Sequence, residues 1–347
     1  MSQGLSQGIA LLEKTQSLGW ALEIDLSAQD SKLVAEAGSI KLYKYTCGSK
    51  KARQPILLIP SFINRHYILD LLPEKSLIQY YLKAGFDVYL INWGQPEEED
   101  KLTSFETLFT VHLDYLVSKM KIDASSKKFH IIGQCLGGNI GLIYSLLNPK
   151  NVSSLSLLTT PVNFNHAGKL KDWARHQTLH LEKFIEACGN APWMWMQLGF
   201  LGMKPTQLFT KYKKLFDKRN DEKFRRSFMA LETWSFDNIN VRGQLFLTLI
   251  QQFYRDNAWL NDGFKINRKN LLIADLQVPV SVLNAEDDHI VPLECTLEKH
   301  HVPKADFEKW NSRGGHIGAL IGGHSQQTIW PKMLKWIKRY DLESLSQ

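Results

Sequence analysis

A chain of 347 residues exceeds what one small domain needs and is short for two large ones, so its length points to one large core, or a core with a sizeable insertion. With 44% apolar and 22% charged residues and no low-complexity tract, the composition excludes a largely disordered chain. The 42 Lys and Arg against 35 Asp and Glu leave a charge of +7 scattered over short stretches, which suits an anionic small substrate or an acidic partner and does not mark a nucleic-acid binder.

The pattern opens with a modest amphipathic helix over residues 2–18, built on Leu5, Ile9 and Leu12, and a short strand over 40–46. The start of the chain has no basic stretch leading into an apolar run, and no segment reaches the ~18 apolar residues a membrane span requires, so a cytoplasmic protein without a span is expected. Ile56-Leu57-Leu58-Ile59 and residues 87–93 are apolar runs ended by Pro60 and Gly94, with helical periodicity over 76–84 between them. The unit repeats as a helix over 104–120, a strand at 129–132, a glycine-rich turn, a helix over 136–147 and a strand at 155–158. Continuous apolar strands alternating with helices imply an α/β fold with a mostly parallel sheet covered on both faces.

From about 166 to 275 the alternation stops and helix formers, aromatics and paired charges take over. It then resumes with a strand at 278–283, a short helix over 293–300, a strand at 307–310 and a terminal helix over 324–340. The expected division is a core of residues 1–165 and 276–347 with a helical cap at 166–275, placed over the carboxyl ends of the strands where such sheets bind ligands. Cys47, Cys135, Cys188 and Cys295 lie far apart without a C-x-x-C pair, so reduced thiols are expected and neither a zinc site nor a disulfide framework.

Gly133-Gln134-Cys135-Leu136-Gly137-Gly138 sits between a predicted strand and a predicted helix, the context of a nucleophile elbow with cysteine as nucleophile. The glycines permit the sharp turn, the helix N-terminus favours thiolate, and the Leu136 N–H is placed to meet an oxyanion. In such a turn the acid and the base follow in chain order, each after a late strand. Asp288 follows the strand ending at Leu283, within the acidic run Glu286-Asp287-Asp288, and His316 follows the strand ending at Trp310. The predicted triad is therefore Cys135, Asp288 and His316, with His289 either supporting it or bonding within its loop. A backbone N–H near Ser61 or Phe62, just after the early strand, is the expected second oxyanion donor, and Phe62 is the residue assigned.

Several segments carry a family resemblance: residues 55–60, Ile63-Asn64-Arg65, residues 67–71, residues 88–94, the cysteine box, residues 160–164, Trp234-Ser235-Phe236-Asp237, Asp288-His289-Ile290-Val291-Pro292 and Gly314-Gly315-His316. Over residues 40–340 the chain resembles the catalytic subunit of class III and class IV polyhydroxyalkanoate synthases, of the α/β-hydrolase superfamily. The resemblance implies polymerisation of (R)-3-hydroxyacyl-CoA, chiefly 3-hydroxybutyryl-CoA, with release of CoA. It implies an acyl chain on Cys135, His316 as base, and Asp288 acting on the histidine or on the incoming 3-hydroxyl. It further implies no cofactor, since coenzyme A arrives on the substrate, together with a growing polyester at a cytoplasmic granule surface and a second subunit of the PhaE or PhaR type. A homodimer is left open.

Cysteine fits this chemistry independently, because transfer from CoA to an enzyme thiol exchanges one thioester for another and keeps the acyl group activated. The competing reading is an intracellular thioesterase or polyester depolymerase on the same triad. A granule-coating binding protein would instead have a broken triad. Two features of the predicted cap are read first as packing and solvated surface: the apolar run 191–201, with an acyl chain or the polyester as its other use, and the basic residues between Lys211 and Arg226, with CoA phosphates as theirs.

Overall fold

The computed structural model describes residues 30–49, 53–175, 180–203 and 206–341; the helix expected over 2–18 lies outside them. Eight strands make one sheet in the order β1-β2-β4-β3-β5-β6-β9-β10, and β7 with β8 make a separate hairpin. The strands are β1 (Lys32–Ala37), β2 (Ile40–Tyr45), β3 (Ile56–Ile59), β4 (Val88–Asn92), β5 (Phe129–Gln134), β6 (Val152–Leu158), β7 (Phe264–Ile266), β8 (Lys269–Leu271), β9 (Val280–Ala285) and β10 (Phe307–Ser312). Within the sheet, β1 pairs antiparallel with β2 and β2 with β4, and the remaining neighbours are parallel.

The helices are α1 (Leu77–Lys83), α2 (Leu113–Asp123), α3 (Leu136–Leu147), α4 (Gly168–Arg175), α5 (Leu181–Cys188), α6 (Trp193–Met203), α7 (Thr206–Asp217), α8 (Glu222–Phe236), α9 (Gly243–Thr248), α10 (Gly318–Ile321) and α11 (Trp330–Tyr340). All four residues of β3 are buried because the sheet is covered on both sides, and their alternation sorts them into two layers. Ile56 and Leu58 join Val88, Leu90 and Ile132 beneath α1 and α11, whereas Leu57 and Ile59 join Tyr89, Ile91 and Ile131 beneath α2 and α3. Each such side chain contributes ~1.5–3 kcal/mol when fully buried, so the apolar runs are the main reason the parallel strands form where they do.

Local signals fix the boundaries. Ser76 caps α1 by accepting the Gln79 N–H at 2.8 Å, and the chain leaves that helix through Gly85 at φ +87°. Ser104 accepts the Thr107 N–H at 3.1 Å and starts a helical run that passes through a π-turn, Leu108–His112, before continuing as α2.

Residues 293–300, expected as a short helix, form two separate 3-10 turns, Leu293–Cys295 and Lys299–His301. Thr296 and Glu298 adopt extended backbone between them, which prevents a continuous helix. Between β6 and β9 lie α4 to α9 and then the β7–β8 hairpin. This stretch joins both layers of the core: Leu181, Ile185, Phe246, Leu249 and Phe253 pack into one, and Ala230 and Trp234 into the other. No helix among the described residues is long and apolar enough to cross a membrane.

Candidate active site

Three loops at the carboxyl ends of β5, β9 and β10 converge on Cys135. The residue sits between the last residue of β5 and the first of α3 with φ +52° and ψ −125°, a conformation a non-glycine residue holds only when its surroundings impose it. They do so sterically. A Cβ on Gly133 would stand 2.5 Å from the Gly138 Cα, and one on Gly137 would stand 2.2 Å from the Ile59 carbonyl oxygen and 2.3 Å from that of Pro60. Only glycine lets α3 start this close to β3. Backbone bonds complete the turn, with the Cys135 N–H on the Leu158 carbonyl at 2.8 Å and the Gly138 N–H on the Cys135 carbonyl at 2.9 Å.

Beyond β9 and β10 the two ladders continue into their loops, as the Glu286 N–H donates to the Ser312 carbonyl at 2.9 Å and the Asp287 N–H to that of Gly314 at 3.0 Å. Gly314 allows the second bond by taking φ +94°. These ties place Asp288 against His316, whose Nδ1 lies 2.6 Å from Asp288 Oδ2. Asp288 Oδ1 accepts the N–H groups of Ile290 at 2.9 Å and Val291 at 3.0 Å, so both carboxylate oxygens are engaged. Of the acidic run, Glu286 and Asp287 are exposed and Asp288 is buried. His289 is half-buried in the same loop.

The Cys135 side chain lies near enough to the His316 imidazole to act on its charge, which brings Asp288, His316 and Cys135 together in one cluster. Burial alone would lower the His316 pKa; the charge of the Cys135 sulfur and then that of Asp288 outweigh it and push the group up to about 10. The arrangement favours a protonated imidazole beside the Cys135 sulfur. Cys295 is a second buried sulfur nearby, but burial, with Glu294 and Asp288 adding to it, pushes its thiol up to about 12 and keeps it neutral. Among the described residues, no group of three or more His, Cys, Asp and Glu side chains is placed to hold a metal ion.

The loop after β3 completes the surroundings. Leu136 is the first residue of α3, where N–H groups have no acceptor within the helix. The Ser61 N–H donates to Gln134 Oε1 at 3.0 Å and is spent on that bond. Trp93 Nε1 donates to the Pro60 carbonyl at 2.8 Å, and the buried Phe62 ring meets those of Trp93 and Phe105 edge-on. Gln134 is a site residue that the sequence reading passed over; its signal was its place as the last strand residue beside Cys135.

The segments Ile63-Asn64-Arg65 and Trp234-Ser235-Phe236-Asp237 meet in space. Arg65 Nε and the Tyr67 hydroxyl each lie 3.0 Å from an Asp237 carboxylate oxygen, Asn64 Nδ2 donates to Asn238 Oδ1 at 2.6 Å, and Trp234 Nε1 donates to the Arg65 carbonyl at 2.8 Å. Residues 160–164 turn out to be scaffolding: Asn139 Nδ2 donates to the Pro161 carbonyl at 3.1 Å, and the Phe164 N–H donates to Asn257 Oδ1 at 2.7 Å.

Sheet order, elbow and strand-end loops together define an α/β-hydrolase, and a family model described as alpha/beta hydrolase fold matches residues 54–308. Solved structures agree on the fold: a putative lipase from Sulfolobus solfataricus (TM-score 0.57, 17% identity, 90% of this chain and 99% of that one) and a monoglyceride lipase from Saccharomyces cerevisiae (TM-score 0.56, 15% identity, 92% and 98%). A second family model, the poly-beta-hydroxybutyrate polymerase (PhaC) N-terminus, matches residues 3–81.

Relatives named poly(3-hydroxyalkanoate) polymerase subunit PhaC include those of Synechocystis (30% identity, 82% of this chain and 77% of that one), Haloferax mediterranei (30%, 90% and 65%) and Allochromatium vinosum (29%, 94% and 95%). The chain thus spans just under two thirds of the Haloferax protein and nearly all of the Allochromatium one. It belongs to the poly(3-hydroxyalkanoate) polymerase PhaC family, a family of enzymes.

Proposed function

We propose that this chain polymerises (R)-3-hydroxyacyl-CoA, chiefly 3-hydroxybutyryl-CoA, through a covalent acyl-cysteine. The observation that carries the reading is the Asp288–His316 pair set beside a cysteine on the elbow. The Cys135 thiolate attacks the thioester carbonyl, the oxyanion forms between the N–H groups of Leu136 and Phe62, and the CoA thiolate leaves with the proton held by His316. The 3-hydroxyl of a second acyl-CoA then attacks the acyl-cysteine, giving up its proton to His316. The lengthened chain leaves on CoA and returns to Cys135 by thioester exchange, releasing CoA. Asp288 orients His316, since Oδ1 is fixed by two backbone N–H groups and Oδ2 faces the imidazole at 2.6 Å. His289 supports the loop.

The steps call on no cofactor, as CoA enters on the substrate. In this reading α4 to α9 form a lid over the site, the chain works with a second subunit of the PhaE or PhaR type, and it resides at the surface of polyester granules in the cytoplasm. Incubating the purified chain, alone and with such a subunit, with 3-hydroxybutyryl-CoA and analysing the product tests the proposal. Polymer with CoA release, abolished by Cys135→Ala, is the expected result. Free 3-hydroxybutyrate as the main product would favour the thioesterase alternative, and turnover by Cys135→Ala would exclude this nucleophile.

A further inference from the structure

Although Lys and Arg occur along the whole chain, the net surplus is concentrated in the α7–α8 hairpin. Residues 211–226 carry eight of them against Asp217, Asp221 and Glu222, a net +5 where the whole chain carries +7. Of these eight cations, Lys211 alone is ion-paired to a carboxylate among the described residues, with Glu232. Lys213, Lys214, Lys218, Arg219, Lys223 and Arg226 are exposed. On the core side Lys223 comes near Lys75, whose ammonium is held below its usual range by burial and by that like charge, against the opposing pull of Glu74. A solvated face ordinarily mixes both signs, and here one sign collects.

The cations are held in place without being neutralised. Lys211 Nζ stands 5.7 Å from the centre of the Phe228 ring, and those of Lys214 and Lys218 stand 6.0 Å and 5.2 Å from that of Phe224, so three ammonium groups follow one aromatic row on α8. Arg219 lies over the Phe216 ring at 4.5 Å and donates to the Phe216 carbonyl at 3.1 Å, and Arg225 donates to the Arg219 carbonyl at 3.1 Å. None of these contacts removes charge, and each lowers the side-chain entropy that binding an anion would otherwise cost.

Phe216 sets the kind of anion, being 63% exposed in the midst of these cations. The phosphates of a soluble ligand or of a nucleic-acid duplex are met by cations alone and give an exposed ring nothing to bury against. At a lipid surface the ring enters the boundary between headgroups and acyl chains while the cations meet the headgroup phosphates. We infer that the end of the α7–α8 hairpin is a docking surface for an anionic phospholipid bilayer, bound peripherally. It stands or falls separately from the chemistry at Cys135.

Sedimentation of the full chain with lipid vesicles tests it. Binding is expected to phosphatidylcholine vesicles that contain phosphatidylglycerol and not to phosphatidylcholine alone, and it should fall steeply as salt rises from about 0.1 M to about 1 M, where the screening length shortens from about 10 Å to about 3 Å. Each Lys or Arg near such a surface is worth about fivefold in affinity, so Lys218→Gln with Arg219→Gln should weaken binding roughly twenty-five-fold. Lys332→Gln with Lys335→Gln removes the same charge from exposed positions on α11 and should leave binding within about twofold of the parent. Phe216→Ala should weaken it several-fold without altering its salt dependence. All substituted positions are exposed, so the variants keep the fold, which their urea midpoints check. Equal loss in the two double variants would show that net charge alone governs binding, and parental binding by Lys218→Gln with Arg219→Gln would place the contact elsewhere; either overturns the docking surface. Binding of coenzyme A or a DNA duplex that the same variant abolishes, with no binding to the anionic vesicles, would overturn it in favour of that ligand.

Discussion

Asp288→Asn separates the two roles open to this carboxylate, because the structure dictates which way the amide must face. In the parent, Oδ1 accepts from Ile290 and Val291 and Oδ2 from His316 Nδ1. An amide NH2 cannot accept a hydrogen bond, so the asparagine oxygen stays on the two backbone N–H groups and its NH2 faces Nδ1. Nδ1 must then accept, which moves the ring proton to Nε2, the nitrogen left to take the proton from Cys135. Nearly isosteric, the change should leave the fold intact, but a base locked in the wrong tautomer costs about ten-thousand-fold, or ~5.5 kcal/mol of barrier. The assay is rapid quench with 3-hydroxybutyryl-CoA, following acylation of Cys135 by intact mass and CoA release by chromatography. Both should fall together. If Asp288 served only the incoming hydroxyl, Cys135 would acylate at the parental rate and elongation alone would fail; that outcome refutes the orienting role.

Gly137→Ala places a methyl 2.2 Å and 2.3 Å from two backbone carbonyl oxygens, so α3 must withdraw from β3; a loss of about 3 kcal/mol in urea unfolding is expected, and a change under ~1 kcal/mol would show that the elbow is less tight than described. Asp237→Ala removes a partly exposed ion pair with Arg65 and the Tyr67 hydrogen bond, costing about 1 kcal/mol of stability, yet it should lower kcat about tenfold by loosening the loop that carries Phe62, with Asp237→Asn recovering part of the loss; parental kcat in the alanine variant would count against that link. His316, raised from an ordinary 6.5 to about 10 despite its burial, contributes stability that is complete below pH ~6.5 and lost as pH rises toward 10. Cys135→Ala deletes the strongest of the raising influences, so the His316 titration seen by NMR should move down and that part of the pH dependence flatten; an unmoved titration would deny Cys135 its part.

What could be read from the sequence follows from how each element is buried. β3 and β5 stand out as apolar runs because both of their faces are covered, whereas β1 went unread because it is an edge strand whose Lys32, Leu33 and Glu36 face solvent. The early part of β6 was missed for a different reason. Ser154 is buried but satisfied sideways, by His130 Nδ1 at 2.8 Å, so a polar letter conceals an interior position. The candidate site was more legible than the fold around it, since an elbow imposes glycines at fixed spacing and the partners follow in a set chain order. Gln134 escaped notice because its partner Ser61 stands 73 positions away, a distance that no local pattern spans.

The loop after β3 shows why the helical stretch and the core cannot be treated as independent. On the core side, Gln134 holds the Ser61 N–H and Trp93 holds the Pro60 carbonyl. On the other side, the end of α8 holds the loop through Trp234, Asp237 and Asn238, which bind Arg65, Tyr67 and Asn64. Phe62 lies between the two clamps, so its N–H is placed by both. Displacing α8 breaks the second set of bonds, each worth about 0.5–1.5 kcal/mol, and frees the chain just beyond Phe62 while Cys135, Asp288 and His316 keep their own ties to β5, β9 and β10. Cys135, Asp288 and His316 are therefore held by hydrogen bonds at the ends of the sheet strands, and the position of Phe62 depends as well on where the helical stretch sits.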